Sequence, residues 1–413
     1  MAARPVWRKR LIYAGGGAAL LGTVAVAAIV LAPADRATAR SGSFVRDGEA
    51  GFVVTHFAYA LGPDAAKTGG CPAGMSRNVA EIFAETPAGQ RGASEGDEEY
   101  GKRVEAGGEA MSVTADGKNF CAHPQLAPFD PHTRILTSAS APAEGIDLDG
   151  KVSRSEADAR GGLLDFTGVD GTKGVDNQFW RAVGCSRSYQ ENGPSNGFEV
   201  EMYTGSWGIL IALRGVDDLK NDDHVEVGIH ANADPIQLSP TRAALEYATY
   251  AMDQKKAFRA TTTGRIENGV LITEPVDVRF HQVVNGMHLE RPLRDARIQA
   301  MLSPGGVLKG YLAGYTPVEE LYDFQFGYRN GKDASGAPSP LGRRLGSSNG
   351  AARVLGHTCQ GIYQSLNRLA DGHPDPKTGR PTSISTQYRF EARPAFVVDV
   401  ETKSANEKLA RND

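Results

Sequence analysis

The chain has 413 residues and a formal net charge of −4, with 40% hydrophobic residues, 23% charged residues and 49 glycines. This globular composition gives room for two or three modest domains or one large β domain, and its glycine content favours turns and β structure over a helical bundle. The acidic balance, without a stripe of Lys and Arg interleaved with aromatic residues, argues against nucleic-acid binding.

The N-terminus has the pattern of an export signal. Three basic residues at 8–10 precede an uncharged apolar run at 11–32, and the small residues ATA at 37–39 offer a cleavage site. The apolar run is also near the length of a membrane span, so residues 1–39 are either a cleaved signal peptide or an N-terminal anchor in the inner membrane. Both alternatives place the body of the chain outside the cytoplasm, in the periplasm or the extracellular space.

The next predicted elements lie between residues 51 and 117. The stretch GFVVTHFAYA at 51–60 predicts a strand, and a short helix is expected at 76–83, capped by Ser76. The Gly-, Glu- and Ala-rich stretch at 85–117 has weak periodicity and is expected to form an exposed loop or an irregular helix. This region carries no visible site.

The stretch GIDLDGKVSRSE at 145–156 has the ligand spacing of a calcium loop. With Gly150 at position six of twelve, Asp147 and Asp149 stand at positions three and five, where carboxylates bind the cation. Ligand positions seven, nine and twelve fall on Lys151, Ser153 and Glu156. Lys151 would contribute its carbonyl oxygen, and the glutamate at position twelve can supply two oxygens at once.

These twelve residues resemble the calcium loop of EF-hand and dockerin-like proteins, and the resemblance implies a bound calcium ion. The likeness is local, because position one is Gly145 in place of Asp, and Pro142 prevents an ordinary entering helix. Val152 at position eight is expected to pack inward, and residues 153–160 are expected to form the exiting helix. A half-hand of this kind needs a carboxylate from elsewhere in the chain.

A second acidic stretch supplies candidates for the missing ligand. DFTGVDGTKGVDNQFW at 165–180 places Asp170 and Asp176 among glycines, with a spacing that resembles the aspartate-rich calcium repeats of thrombospondin type. Asp-Gly clusters also form turns without any cation, so a plain acidic turn is the alternative. If calcium binds, its expected role is structural, because the two stretches would otherwise repel each other.

From residue 198 onward the sequence alternates in short apolar runs. FEVEMY, WGILIALRGV, HVEVGIH, GRIENGVLITEPVDVRF and ARIQAML are each bounded by Gly, Pro, Asn or Asp. This pattern predicts a mainly β fold with an antiparallel β-sandwich or jelly-roll core. Asn268-Gly269 predicts a tight hairpin, because both central residues of a type I′ turn need positive φ.

Two carboxylates in the first run raise the alternative of an enzyme. If FEVEMY is a strand, Glu199 and Glu201 share one face about 6–7 Å apart, within the range used for glycoside cleavage. The run resembles the catalytic strand of jelly-roll glycosidases of the laminarinase type, whose pattern is E-x-D-x-x-E. Here Glu201 replaces the Asp and Thr204 stands at the sixth position, so the expected acid/base residue is missing.

The run NDDHVEVGIH places His224, Glu226 and His230 on one face of a strand. Six strand residues span about 20 Å, so the two histidines cannot share a metal ion. The pattern therefore predicts an exposed sheet face, or hydrogen bonds to a neighbouring strand.

The C-terminal region predicts a loop, a helix and a strand. The stretch at 331–350 is rich in Gly, Pro and Ser without an apolar pattern, and the helix that follows begins after Thr358 as its cap. STQYRFEARPAFVV, at residues 385–398, predicts the last strand.

Four cysteines, an even number in an exported chain, predict two disulfides. Sequence separation favours Cys71 with Cys121 and Cys185 with Cys359 among three possible connectivities. A metal site using Cys121 and nearby histidines is the alternative, although the chain has no CxxC motif.

Together these features predict an exported, calcium-binding, non-enzymatic binding or envelope-associated protein of unknown ligand, for which a glycan or a cell-envelope component is the candidate partner. The alternative is a carbohydrate-active enzyme on a jelly-roll scaffold. The predicted regions are a signal peptide or anchor (1–39), an N-terminal region (40–143), the Asp/Gly-rich calcium segment (144–182), the β-sandwich core (183–330), a flexible loop (331–350) and a C-terminal helix and strand with a polar tail (351–413).

Overall fold

The strands and helices are those of a computed structural model, which describes residues 44–137, 141–153, 155, 163–195, 197–204, 207–232, 234–284, 287–327, 342–343 and 345–400. The strands in these ranges are β1 (Glu49–Tyr59), β2 (Phe166–Thr167), β3 (Lys173–Val175), β4 (Gly208–Arg214), β5 (Asn221–Asn232), β6 (Ala248–Ala251), β7 (Arg259–Glu267), β8 (Val270–Thr273), β9 (Val276–Val284), β10 (Met287–Leu302), β11 (Leu308–Pro317), β12 (Gly372–Pro374) and β13 (Pro381–Val398). The α-helices are α1 (Ala65–Thr68), α2 (Val79–Ala84), α3 (Asp97–Ala110), α4 (Gln178–Val183), α5 (Glu199–Tyr203), α6 (Val318–Phe326), α7 (Leu345–Leu355) and α8 (Cys359–Arg368).

The long strands form an antiparallel sheet whose path returns to its first strand. The order is β1, β4, β5, β7, β8, β10, β11 and β13, and β13 then pairs with β1 from Phe52↔Pro394 to Tyr59↔Tyr388. β9 lies beside β10, β12 beside β13, and β6 runs parallel to the end of β13. The prediction of a mainly β fold with an antiparallel, sandwich-like core is confirmed.

Alternation along the strands gives this closed sheet an apolar inner face. Ile211 on β4 is opposite Ile229 on β5, and Leu312 on β11 is opposite Tyr388 on β13. All four side chains are at most 2% exposed, and Tyr388 stacks on Phe57 of β1 with ring centroids 4.7 Å apart. Each such cross-strand contact contributes about 0.2–1 kcal/mol beyond an alanine pair.

The chain between β1 and β4 contacts both faces of the sheet: Phe179 of α4 packs on Tyr59, which is in register with Tyr388 on the inner face, with ring centroids 4.6 Å apart. Helix α4 packs against β13, and Ile146 and Leu148 from the first acidic stretch pack against Tyr315 on the outer face of β11. Strands β1 and β13, which come before and after the predicted core region at 183–330, also contribute residues to the described core. The outer face of β11 and β13 is where the acidic stretches are held.

The prediction of a strand at FEVEMY is wrong, because the structure forms helix α5 there. The Met202 N–H donates to the Phe198 carbonyl at 3.2 Å, and both side chains are buried. Their spacing of four residues fits one face of a helix as well as alternation fits a strand over so short a run.

The structure corrects two other local predictions and confirms two. Helix α2 begins after Asn78, not after Ser76, and Asn78 forms a capping box with Glu81. The predicted loop or irregular helix at 85–117 contains the regular helix α3. The hairpin at Asn268-Gly269 is confirmed with positive φ at both residues, and Thr358 caps α8 as predicted.

Several predictions fall on parts of the chain that the structure does not describe. These are the export segment at 1–39, the polar tail from 401 and most of the predicted loop at 331–350, of which 345–350 begin α7. Within the described ranges, no helix has the length and hydropathy needed to span a membrane.

Two disulfides are present, as predicted, but the favoured pairing is wrong. Cys71 bonds to Cys185, and Cys121 bonds to Cys359. Sequence separation misled because the chain after β1 folds back: the Ser76 N–H donates to the Cys185 carbonyl at 2.8 Å. Two disulfides are consistent with an oxidising compartment.

Replacing Cys121 and Cys359 together by Ala is expected to lower the free energy of unfolding by about 4 kcal/mol, because this bond closes a loop of 238 residues. Urea unfolding of the variant and of the wild type would measure the loss. The matched control is a reducing agent, which should destabilise the wild type further than the variant. A variant as stable as the wild type would contradict the expectation.

Candidate functional site

Three carboxylates from the two acidic stretches meet on the outer face of the sheet. Asp147, Asp149 and Asp176 each present a carboxylate oxygen, and the three oxygens lie within 4.8 Å of one another. Asp176 follows β3 directly and is only 5% exposed, whereas the other two are half-buried. The structure thus brings together residues from both predicted stretches, as the missing ligand at position one requires.

Gln387 on β13 holds the two stretches side by side. Its amide Nε2 donates to the Ile146 carbonyl at 2.9 Å and to the Asp176 carbonyl at 2.7 Å, while its Oε1 accepts from the Ile146 N–H at 3.2 Å. The Leu148 N–H donates to Oδ2 of Asp176 at 2.7 Å. Because Gln387 is fully buried, these bonds are shielded from water and fix the backbone around the carboxylates.

The donor set around the carboxylates suits a hard cation. A Cβ built on Gly174 would lie 2.7 Å from the Lys151 carbonyl oxygen and 3.2 Å from Oδ2 of Asp147, so both oxygens border the space that this glycine leaves open. Lys151 is the residue that the loop spacing predicts to contribute a carbonyl. Three carboxylates and one carbonyl are oxygen ligands of the kind that calcium takes, and water commonly completes its six to eight positions.

The loop departs from an EF-hand at its first position for a steric reason. Gly145 has a φ of 139°, and a Cβ there would collide with the side chain of Gln387. An aspartate cannot occupy this position without displacing the residue that holds the loop. The expectation that Val152 packs inward is wrong, since its side chain is 51% exposed.

Of the remaining predicted ligands, Asp170 is described and lies outside the cluster. Ser153 donates its backbone N–H to Asp165 at 2.7 Å and is not helical, and Glu156 with most of the predicted exiting helix lies outside the described residues. Asp170 caps its own exposed turn by accepting the Thr172 N–H at 2.9 Å. Sequence spacing alone did not separate Asp170 from Asp176 as the added ligand.

The environment of Asp176 disfavours its charge in the absence of a cation. Burial raises the pKa of this carboxyl to about 8; the hydrogen bond from Leu148 opposes the rise, and the charges of Asp371, Asp149 and Asp165 add to it. Burial also raises the pKa of Asp147. The raised pKa favours a protonated Asp176 carboxyl at neutral pH.

A groove of about 870 Å³ opens on the same outer face of the sheet. Its carboxylates are ion-paired with arginines: Glu144 lies 3.3 Å from Arg389, and Arg393 lies 2.7 Å from Glu391 and 3.6 Å from Glu246. Paired charges of this kind offer fixed donors and acceptors to a ligand.

The proposed catalytic pair at Glu199 and Glu201 is also corrected. On helix α5, residues two apart point in different directions, so the two carboxylates do not share a face. Glu199 forms an ion pair with His56 of β1; although burial raises its pKa, the hydrogen bond from His56 lowers it overall. His56 lines the groove, as does Tyr203, whose hydroxyl donates to the Thr55 carbonyl at 2.8 Å.

In the presence of a chelator, we expect the protein to lose stability as pH rises from about 4 to about 8. The raised pKa of Asp176, from 3.8 to about 8, means that the folded state holds a proton in this range that the unfolded state has released. The slope contributed by this group is at most about 1.4 kcal/mol per pH unit. Melting temperatures measured from pH 5 to 8.5 would show it.

Asp176→Asn mimics the protonated carboxyl and should flatten this part of the pH profile. Asp170→Asn, a matched change at an exposed aspartate of the same stretch, should keep the wild-type slope. An Asp176→Asn profile that parallels the wild type would show that this carboxyl titrates normally.

The site's chemistry rests on its own residues. Comparison of the chain with protein-family models, with curated proteins and with solved structures found no match. The chemistry of the three aspartates and of the groove is therefore inferred from their donors, charges and burial.

Proposed function

We propose that the chain is an exported calcium-binding protein of the cell envelope, which acts by binding a partner and not by catalysing a reaction. The export pattern at 1–39 and the two disulfides support a location outside the cytoplasm. In this proposal calcium holds residues 146–176 against the outer face of β11 and β13, and the adjacent groove receives the partner.

The observation that carries the proposal is the convergence of Asp147, Asp149 and Asp176. Three carboxylates within 4.8 Å repel one another, and one of them is nearly fully buried. A divalent cation removes both penalties, since it neutralises the charges and replaces the lost hydration of Asp176 with a direct ligand bond. Calcium is the favoured ion because all the donors are oxygens and the site is open enough for water to complete its shell.

Calcium binding would also shape the groove. Glu144 directly precedes the calcium loop, Val169 belongs to the turn between β2 and β3, and both line the groove together with Lys309 and Arg389. A cation that fixes residues 146–176 therefore fixes one wall of the groove.

A glycan is the partner class that we propose for this groove. Its ion-paired arginines and carboxylates present fixed donors and acceptors for hydroxyl groups, and Tyr203 and Tyr311 add aromatic surface for sugar rings. A volume of about 870 Å³ matches a short oligosaccharide.

Calcium is expected to bind the wild-type protein saturably and to raise its melting temperature, and Asp147→Asn/Asp149→Asn should abolish both effects. At one hundred times its dissociation constant, a ligand of the folded state stabilises by about 2.7 kcal/mol. Titration calorimetry and melting curves with calcium or chelator would measure these effects.

Asp170→Asn is the matched control for that experiment, because it removes a carboxylate from the same segment without touching the cluster. It should bind calcium like the wild type. No calorimetric heat and no change in melting temperature in the wild type would refute the calcium site.

Glycan binding should require calcium and the groove arginines. We expect a hit from a glycan array to bind at least tenfold more weakly, about 1.4 kcal/mol, after Arg393→Ala, because this residue orders two groove carboxylates. Arg265→Ala removes an exposed, ion-paired arginine from β7, outside the groove, and should leave affinity unchanged. Binding that survives both chelator and Arg393→Ala would place the ligand elsewhere.

A further inference from the structure

A small polar pocket lies on the outer face of β4, β5 and β7, formed by residues other than those that line the groove. Its volume is about 80 Å³. The strand register aligns three rows across it: Ala212, Gly228 and Thr261 form the middle row, with Gly228 opposite both neighbours. Because this row carries only small side chains, the sheet surface is depressed there, and longer side chains on either side form the walls.

His230 forms one wall of the pocket, and its ring fits there because residue 228 is a glycine. The imidazole lies over Gly228, where a Cβ would collide with its Nε2. The histidine is only 6% exposed, yet its Nδ1 is buried without a hydrogen-bond partner among the described residues. The prediction of an exposed sheet face is therefore wrong for His230, although it holds for His224 and Glu226. Buried polar nitrogens normally have a partner, so this unsatisfied ring points to an absent ligand.

Two arginines face the pocket from the flanking strands. Arg214 on β4 donates through Nη1 to Glu226 at 3.0 Å, and Arg259 on β7 pairs with Asp399 after β13. Each guanidinium has five N–H donors, of which these pairs use only part. The charged groups that face His230 are thus Arg214 and Glu226 on one side and Arg259 and Asp399 on the other.

The two arginines supply cationic hydrogen-bond donors to the pocket. Burial, together with the charges of Arg259 and Arg214 and against that of Asp399, lowers the pKa of His230 to about 4. The imidazole is therefore neutral at pH 7, with one ring N–H available to donate. Arg214 is paired with Glu49 and Glu226, and Arg259 with Asp399, so the guanidiniums act on a ligand through their remaining N–H donors and not through an excess of positive charge.

We propose that this pocket binds a single tetrahedral oxyanion, a sulfate or phosphate group, between Arg214 and Arg259 with His230 as a hydrogen-bond donor. The volume supports this size class, since about 80 Å³ corresponds to two or three water molecules and is well below the roughly 300 Å³ of the smallest drug-sized sites. Thr261, in the middle row, adds a hydroxyl that can donate to the same group.

An oxyanion in the pocket would favour protonation of His230, because its charge offsets that of the two arginines. Sulfate affinity should therefore rise as pH falls from 7.5 to 5.5. Sulfate itself keeps its charge over this range, so the change in affinity reports on the protein.

The experiment is calorimetric titration of the full chain with sulfate at pH 7.5 and 5.5, at constant ionic strength. We expect saturable binding that is at least threefold tighter at pH 5.5. Arg259→Gln should weaken it at least tenfold, and His230→Gln should remove its pH dependence. Arg265→Gln, which removes an arginine from the same strand away from the pocket, should bind like the wild type.

A second variant keeps the proposal testable if Arg259→Gln misfolds. Gly228→Ala fills the pocket floor and should abolish binding, while circular dichroism checks that the sheet is retained. Equal affinity in Arg259→Gln and Arg265→Gln, or no saturation at either pH in the wild type, would overturn the proposal.

Inorganic phosphate and glycerol phosphate distinguish the source of the group. Tighter binding of glycerol phosphate supports a phosphate at the end of a larger molecule, and tighter binding of inorganic phosphate supports a free ion.

Discussion

The pairing of β1 with β13 is the constraint on which the rest of the structure depends. It joins residues more than 300 positions apart and closes the sheet, since β13 also pairs with β11 along most of its length. The two faces of β13 then make different contacts. Inward, Tyr388 stacks with Phe57 in the core; outward, Gln387 binds the backbone of the two acidic stretches, and Arg389 lines the groove.

The acidic site follows from that closure. Asp147 and Asp176 are 29 positions apart and mutually repulsive, and they meet because Gln387 binds the backbone of both stretches from a buried position on β13. The buried hydrogen bonds of Gln387 thus hold the two acidic stretches side by side, and burial is the main cause of the raised pKa of Asp176. The fold alone, without an ion, brings these carboxylates together.

Local patterns predicted the elements, and non-local contacts decided what they do. Alternation identified β4, β5, β7, β8, β9 and parts of β10 and β13, but not β6, β11 or β12, and Asn268-Gly269 fixed a hairpin because turn chemistry depends on adjacent residues. The ligand spacing of a calcium loop likewise depends only on nearby residues, and it selected Asp147 and Asp149 as candidate ligands. The pairing of Cys71 with Cys185 depends on a return of the chain that no local pattern encodes. Helix α5 was mistaken for a strand because six residues satisfy both periods.

The contrast between Asp170 and Asp176 shows which physical information the sequence lacks. Both follow valine in a Gly-rich stretch, and both have the right chemistry. Asp170 lies in an exposed turn, outside the cluster, and accepts the Thr172 N–H. Asp176 follows β3, where burial removes its water and raises its pKa. The two residues thus differ in burial, which is a property of the folded environment and not of the residue type.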